Sequence, residues 1–329
     1  MKKITDKKKW DDILLEIGCF DTYHTYDYHK VHAVIDGGIP VMFVNRNGVD
    51  IIAVTLLERS IGTDKIDFTS VYGYTGPISN TLDKSKFLNL YNDLIGALSY
   101  SPNYISLFSR VNSLTVLDSA LSTIFQHSGH TVTIDLNLPN EDQVSGYRKK
   151  TRYDIKKLKK IGFSCNFVDS GEGIDSFIEI YNAAMKSIGA DEYYFFNKSY
   201  YVDLFSNDLA EVKMVRCDLD GQAACVGIFF FCNNIVQYHL GANAKNFLEF
   251  SPTKLMIDFV RNYSANTGFE VFHLGGGLSG GDDNLFKFKK GFSNKINKFY
   301  LMKEILNKEE YNHLSKGKNN SSYFPLYRS

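Results

Sequence analysis

Apolar positions along the chain follow two periods, and the alternation between these periods lays out the predicted elements. Trp10, Ile13, Leu14 and Ile17 recur at helical spacing and predict an opening amphipathic helix. Tyr23 to His32 shows no period. From Val41 the pattern becomes strand-like: Val41–Val44 and Val49–Leu57 flank Asn45-Arg46-Asn47-Gly48, a hairpin turn because Asn-Gly tolerates positive φ. Ile66–Val71 predicts a further strand, Leu82–Leu98 a helix and Tyr104–Phe108 another strand.

The second half repeats this order. Val212–Arg216 and Ala223–Cys232 flank Asp218-Leu219-Asp220-Gly221, and Ile235–Leu240 predicts the next strand, ending in Gly241. A helix over Lys254–Ala265 follows, with Ser251 expected as its N-cap and Pro252 in its first turn. Phe269–Leu274 closes the unit. Hairpin, strand, polar loop, helix and strand occur twice, the sequence sign of a duplicated folding unit.

The last strand empties into Gly275, Gly276 and Gly277, then Gly280 and Gly281, and returns as FKFKKGF. Backbone N–H groups without side-chain cover suit a phosphate, a carbonyl or a sugar, and Lys287, Lys289 and Lys290 add cations beside them. If Phe286 and Phe288 lie on a strand, the lysines point to the opposite face. Neither a nucleotide P-loop nor a dinucleotide fingerprint is expected, since no Gly-Lys-Ser/Thr follows the glycines and no G-x-G-x-x-G links a strand to a helix here.

Between the copies, Tyr147 to Lys160 reads as a basic helix. Arg148, Arg152, Lys156 and Lys159 or Lys160 share one face, Ile155, Leu158 and Ile161 the other, and Asp154 is the one acid. The stripe suits a diphosphate or a membrane surface, or is the solvated side of a linker. Arginine is the stronger phosphate ligand because its guanidinium binds bidentately.

Composition narrows the field. With 44% hydrophobic and 22% charged residues, the 329-residue chain is long enough for two globular domains, and a net charge of zero advertises no global attraction to nucleic acid. Five cysteines without a C-x-x-C pair argue against zinc and for a reducing cytoplasm. His24, His29 and His32 lack an acidic or cysteine partner at ligand spacing, so structural roles lead. The basic N-terminus has no apolar signal region, and the longest apolar run, Ala223–Cys232, is too short for a membrane span. These features predict a cytoplasmic protein, with peripheral contact at the inner membrane face as an option. Asn307 onward is a polar tail that is either loose or docked through Tyr323, Phe324 and Tyr327.

Three motifs in fixed order carry a resemblance: D-x-x-S-x-Y-G-Y-x-G-P from Asp67 to Pro77, T-R-x-x-I-x-K-x-x-K-x-G from Thr151 to Gly162, and L-G-G-G with F-K-K-G-F near the end. Together they resemble the Fem-like acyltransferases of the GCN5-related N-acetyltransferase (GNAT) superfamily, over roughly Trp10 to Leu306. The resemblance implies an α/β (α+β) fold of two tandem GNAT-like domains, each a mixed central sheet flanked by helices. Their expected bounds are 1–146 and 147–306, with the tail at 307–329.

It further implies transfer of an acyl group from acyl-CoA to an amino group of a nucleotide- or lipid-linked sugar or peptidoglycan precursor in bacterial cell-surface glycan synthesis. The alternatives are an aminoacyl-tRNA-dependent transferase, with charged tRNA as partner, and a non-catalytic binder of glycan precursors. No metal is expected. Lys289, in the family's Phe-Lys element with Phe288, is expected near the acyl donor, and Arg152 matches the junction arginine. Candidates for chemistry are Lys289 and the backbone N–H groups around Leu240 and Gly241 for the oxyanion, Asp283 or His239 for proton removal, and Tyr238 for proton return. Donor or acceptor contacts are expected from Arg148, Arg152, Lys156, Gly241, Ser251, Gly275, Gly276, Gly277, Phe288, Tyr72 and Tyr74. Two departures stand out: no heptad stretch for a coiled-coil arm, and Leu248-Glu249-Phe250-Ser251-Pro252-Thr253 where a CoA pyrophosphate loop (Gln/Arg-x-x-Gly-x-Gly/Ala) would stand.

Overall fold

The computed structural model describes residues 1–112, 114–116, 118–278, 281–319 and 323–329; Gly280 lies outside them. In chain order the strands are β1 (Lys2–Ile4), β2 (Ile39–Asn47), β3 (Asp50–Ile61), β4 (Lys65–Thr69), β5 (Ile78–Ser79), β6 (Tyr104–Asn112), β7 (Gln126–Asp135), β8 (Ser164–Val168), β9 (Glu211–Leu219), β10 (Gln222–Cys232), β11 (Ile235–Asn243), β12 (Val271–Gly276) and β13 (Ile296–Ile305). Two compact units divide the chain, Met1–Gly129 with Lys298–Ser329, and His130–Asn297.

Strands in the first unit are ordered β1-β2-β3-β4-β6-β13, with β5 against β3. The β2/β3 hairpin is antiparallel, and helix Lys84–Ser99 carries the chain from β4 to its parallel neighbour β6. The second unit repeats the scheme in the order β7-β12-β11-β10-β9-β8. There the β9/β10 hairpin turns on Asp220 and Gly221, both at positive φ as a two-residue primed turn requires, and helix Thr253–Asn266 links β11 to parallel β12. The duplication expected from the sequence is therefore present as the same mixed strand arrangement in each unit, with helices packed on its strands.

Strand β13 explains a difference from the expected bounds. Phe299 to Ile305 pair antiparallel with Asn112 to Ser106, and Leu306 and Asn307 donate to the Ile105 carbonyl, so residues from 298 onward belong to the first unit. The tail then docks. Its Tyr327 hydroxyl and Arg328 guanidinium both reach Asp67, while Phe324 packs on Phe108 and Tyr311; Tyr323 stays half exposed.

The aperiodic stretch before β2 forms a short turn and the helix Tyr26–Asp36. His24, His29 and His32 are all buried on it, and no group of ligands able to hold a metal is found among the described residues. Nδ1 of His24 accepts from the Asp21 amide at 3.1 Å, and Nδ1 of His29 meets the Thr25 carbonyl at 3.0 Å, which fixes one tautomer for each. Burial, with the neighbouring His29, pushes His24 down to about 3; burial pushes His29 down to about 4. Both are neutral when folded at pH 5.5, whereas the unfolded chain protonates below pH 6.5. Stability is therefore lost as pH falls through that range, by roughly 1.4 kcal/mol per histidine at pH 5.5. Urea midpoints at pH 7.5 and 5.5 measure this, and His24→Gln flattens part of the slope.

Candidate active site

Strands β11 and β12 pair in parallel over only three residues, from Ile235↔Val271 to Gln237↔His273, although both continue further. Beyond that point each takes its own irregularity. His239 is the extra residue of a bulge against β10, and the β12 register against β7 shifts at Leu274, where Gly275 turns with φ 78°. The two strands stop bonding where β12 runs into the glycine loop. Side chains that face this point are the candidates for chemistry.

FKFKK is helical, which corrects the strand alternative. Asp283 caps the helix Asn284–Lys289: its Oδ1 accepts from the Phe286 amide at 2.8 Å and its Oδ2 from Leu278 at 2.5 Å. On a helix, positions 286 and 289 share a face, so Lys289 turns inward beside Phe286 instead of opposing it. The residue is 9% exposed, and its ammonium donates to the Gly276 carbonyl at 2.7 Å. A Cβ on Gly275 would stand 3.1 Å from this nitrogen, which is the space that a glycine leaves open there. Burial pulls the Lys289 pKa down to about 8, against the opposing pull of the Asp283 carboxylate. Among the described residues Gly276 O is the one acceptor it bonds, and two ammonium N–H groups remain for a ligand oxygen.

Gln237 and His273, the last paired positions of β11 and β12, are polar groups that the sequence pattern hid inside apolar runs. The His273 Nδ1 and Gln237 Oε1 are hydrogen-bonded, and burial together with the Lys289 charge pushes His273 down to about 3, so the ring is neutral. Gln237 therefore fixes its tautomer with the proton on Nδ1.

The T-R and F-K-K-G-F motifs meet in space. A Cβ on Gly291 would lie 2.9 Å from Thr151 Oγ1; the Arg148 amide donates to Gly291 O and its guanidinium to Lys287 O at 3.2 Å; Tyr147 packs edge-on to Phe292. Arg148 thus holds the lysine-bearing helix by its C-terminal turn. The basic helix itself runs Lys149–Ile161, with Ile155 and Leu158 buried as expected, whereas Ile161 is 39% exposed.

Other expected residues separate from this centre. Both oxygens of Asp283 accept amides, which lowers its pKa and makes it a cap and not a proton acceptor. His239 lies under Phe230 with Nε2 3.1 Å from the Tyr200 hydroxyl. Tyr238 stacks on Phe229, and burial holds its phenol well above the ordinary value; a Cβ on Gly241 would come 2.3 Å from its hydroxyl, so Gly241 is required by packing. Phe288 packs edge-on to Phe292. Arg152 donates to Ser145 O and, with Lys156, lines a separate cavity. Tyr72 and Tyr74 belong to the first unit's aromatic cluster with His32, Tyr23 and Phe299.

Ser251 is not the cap of the helix Thr253–Asn266. It sits in the left-handed region at φ 53°, and Asn243 Oδ1 takes the Thr253 amide instead. The Lys254 and Leu255 amides bond Ser251 O and Pro252 O. The first amides of that helix are thus already satisfied, and the residues there do not fit a CoA pyrophosphate.

Residues 145–290 match the family model described as an acetyltransferase (GNAT) domain. This stretch is a GNAT-type domain and the chain an acyltransferase. At the level of fold the chain is similar to FemX, whose crystal structure aligns with a TM-score of 0.71 at 13% identity over 95% of this chain and 99% of that one. It is also similar to the C-terminal domain of a putative lysylphosphatidylglycerol synthetase from Agrobacterium fabrum (TM-score 0.57, 12% identity, 93% and 94% covered) and to L-PGS from Bacillus licheniformis (0.57, 11%, 92% and 93%). No curated protein matches the chain in sequence. The Fem-like resemblance read from the motifs is met by this fold. No helix among the described residues is long and apolar enough to cross a membrane.

Proposed function

We propose that the second unit transfers an activated acyl group to an amine of a cell-surface precursor, a nucleotide- or lipid-linked sugar or a peptidoglycan peptide. The observation that carries this is the Lys289 ammonium, buried at a glycine turn where two parallel strands stop pairing. The amine attacks the carbonyl carbon, a C–N bond forms and the carbonyl oxygen becomes an oxyanion. Lys289 faces that charge with its unused N–H groups in a dry setting, where such a contact is worth most. The C–O or C–S bond to the leaving group then breaks, and the leaving atom takes the proton that the amine gives up. Neutral His273 keeps a second cation away from Lys289. Transfer as proposed does not use Tyr72, Tyr74 or His239.

For the donor, the satisfied amides at Thr253–Leu255 favour an aminoacyl ester on tRNA. The GNAT domain match favours acyl-CoA as the second reading. Incubation of the purified chain with amine acceptors and either radiolabelled acetyl-CoA or charged tRNA separates them. Incorporation that is sensitive to RNase and falls steeply with salt is expected. RNase-resistant incorporation from acetyl-CoA reverses the donor assignment, and no incorporation from either leaves a binder of glycan precursors.

A further inference from the structure

Three of the five cysteines, far apart in the sequence, come together on neighbouring strands of the second unit. Cys165 on β8 stands opposite Cys217 on β9, and Cys217 stands opposite Cys225 on β10. In an antiparallel pair, opposite residues point to one face with Cα atoms about 4.5 to 5.5 Å apart, inside the range of about 4.4 to 6.8 Å that a disulfide spans. The register therefore sets up two cross-strand bonds that would share Cys217. No C-x-x-C spacing announces either.

Exposure separates the two. Cys217 and Cys225 are fully buried, and the Cys225 sulfur packs on Met256 Sδ at 3.9 Å within the core. Cys165 is only partly buried, and it lines a cavity of about 430 Å³ beside the helices Lys149–Ile161 and Thr253–Asn266. A small oxidant in that cavity meets Cys165 without opening the core, and a second sulfur stands directly across the strand pair. Strand β8 ends the strand order of its unit, so it can shift toward β9 without disturbing a further strand. The thiols of Cys165 and Cys225 donate to the Cys217 sulfur and lower its pKa, while the same contact raises that of Cys165. Once the pair has lost one proton, the other is shared between them. Its transfer to Cys217 leaves Cys165 as the reactive thiolate.

We propose that Cys165 and Cys217 are a peroxide-oxidised thiol pair that closes to a reversible cross-strand disulfide, with Cys225 left reduced. The Cys165 thiolate attacks one oxygen of hydrogen peroxide: an S–O bond forms, the O–O bond breaks, and the departing hydroxide takes the proton from Cys217. The Cys217 thiolate then attacks the Cys165 sulfur, the S–S bond forms, and the sulfenic oxygen leaves as hydroxide. Two thiols are oxidised and one peroxide is reduced to water. A dithiol reductant reverses the bond by exchange. In a reducing compartment the pair stays open until an oxidant arrives. This chemistry is independent of acyl transfer and of Lys289.

The full chain is treated with hydrogen peroxide at a dose that leaves its methionines intact, then denatured, alkylated and mapped by mass spectrometry. Free thiols are expected to fall by two from the five of the reduced chain, with the peptides of Cys165 and Cys217 linked, and dithiothreitol should restore them. Cys165→Ser should lose the link and Cys225→Ser keep it, whereas Cys217→Ala should strand Cys165 as a sulfenic acid that dimedone traps. The wild-type map decides the matter by itself if Cys217→Ala does not fold. Retention of all five thiols, oxidation confined to the exposed Cys19, a link between Cys217 and Cys225, or a link between two chains would each overturn the assignment. The readout needs no acyl donor or acceptor, so its failure and the failure of the transfer reaction are told apart.

Discussion

Lys289→Met is expected to abolish transfer and, at the same time, to stabilise the fold. A side chain of similar length but without charge keeps the packing beside Phe286 and removes the donor that faces the developing oxyanion. Loss of one such donor costs about 10² to 10³ in kcat, with KM little changed if the contact strengthens only in the transition state. The stability half follows from linkage. Burial lowers the Lys289 pKa from 10.5 to about 8, so at neutral pH the folded chain holds a charge that it would release more readily than the unfolded chain. That costs roughly 3 kcal/mol, less whatever the Gly276 hydrogen bond returns. Between about pH 8 and 10.5 the unfolded chain binds the extra proton, so wild-type stability climbs with pH across that window, whereas the Met variant lacks this rise. In the wild type, transfer should fall above pH 8 as the ammonium is lost. Parallel kinetics and urea titrations decide it: a variant that keeps its kcat removes Lys289 from the chemistry, and one that is inactive but no more stable shows that the charge was never under strain.

The duplicated architecture was legible because it rests on local signals. Two turn sequences, two helical periods and two pairs of apolar runs each declare themselves within a dozen residues. Lys289 was legible through its motif, and the contacts of Thr151 with Gly291 and of Arg148 with Lys287 give the physical reason why the two motifs travel together. What escaped was set by distance or by ambiguity. FKFKK alternates as a strand would, and the deciding signal, Asp283 three residues before Phe286, was present but weaker than the alternation. Gln237 and His273 are brought side by side by a parallel register that no window of sequence contains. The pairing of β13 with β6 joins residues almost two hundred positions apart, so the boundary drawn at residue 306 missed it. Ser251 had the composition of a cap, yet Asn243, ten residues before Thr253, supplies the oxygen.

Asp67→Ala is expected to cost the first unit about 3 to 5 kcal/mol and to release the C-terminal tail. Asp67 opens the first family-like motif, but its position argues for a structural role. It is fully buried and accepts from Arg59 Nε at 2.9 Å, Arg328 Nε at 2.6 Å and the Tyr327 hydroxyl at 3.1 Å, while Tyr327 also bonds Ser106 at 2.8 Å. One carboxylate therefore ties β4 to β3 and to the last residues of the chain. Removing it leaves two partly buried guanidinium groups facing each other without a counter-ion, which is worse than losing the pair outright. Arg328→Ala takes away only one cation and leaves Arg59 in place, so it should cost less, about 1 to 2 kcal/mol, while freeing the same tail. Limited proteolysis reads the release as rapid cleavage beyond residue 306, and denaturant midpoints read the cost. If the tail of Asp67→Ala is cut no faster than that of the wild type, the docking contact is carried by Phe324 against Tyr311 and Phe108, and Asp67 has another part in the first unit.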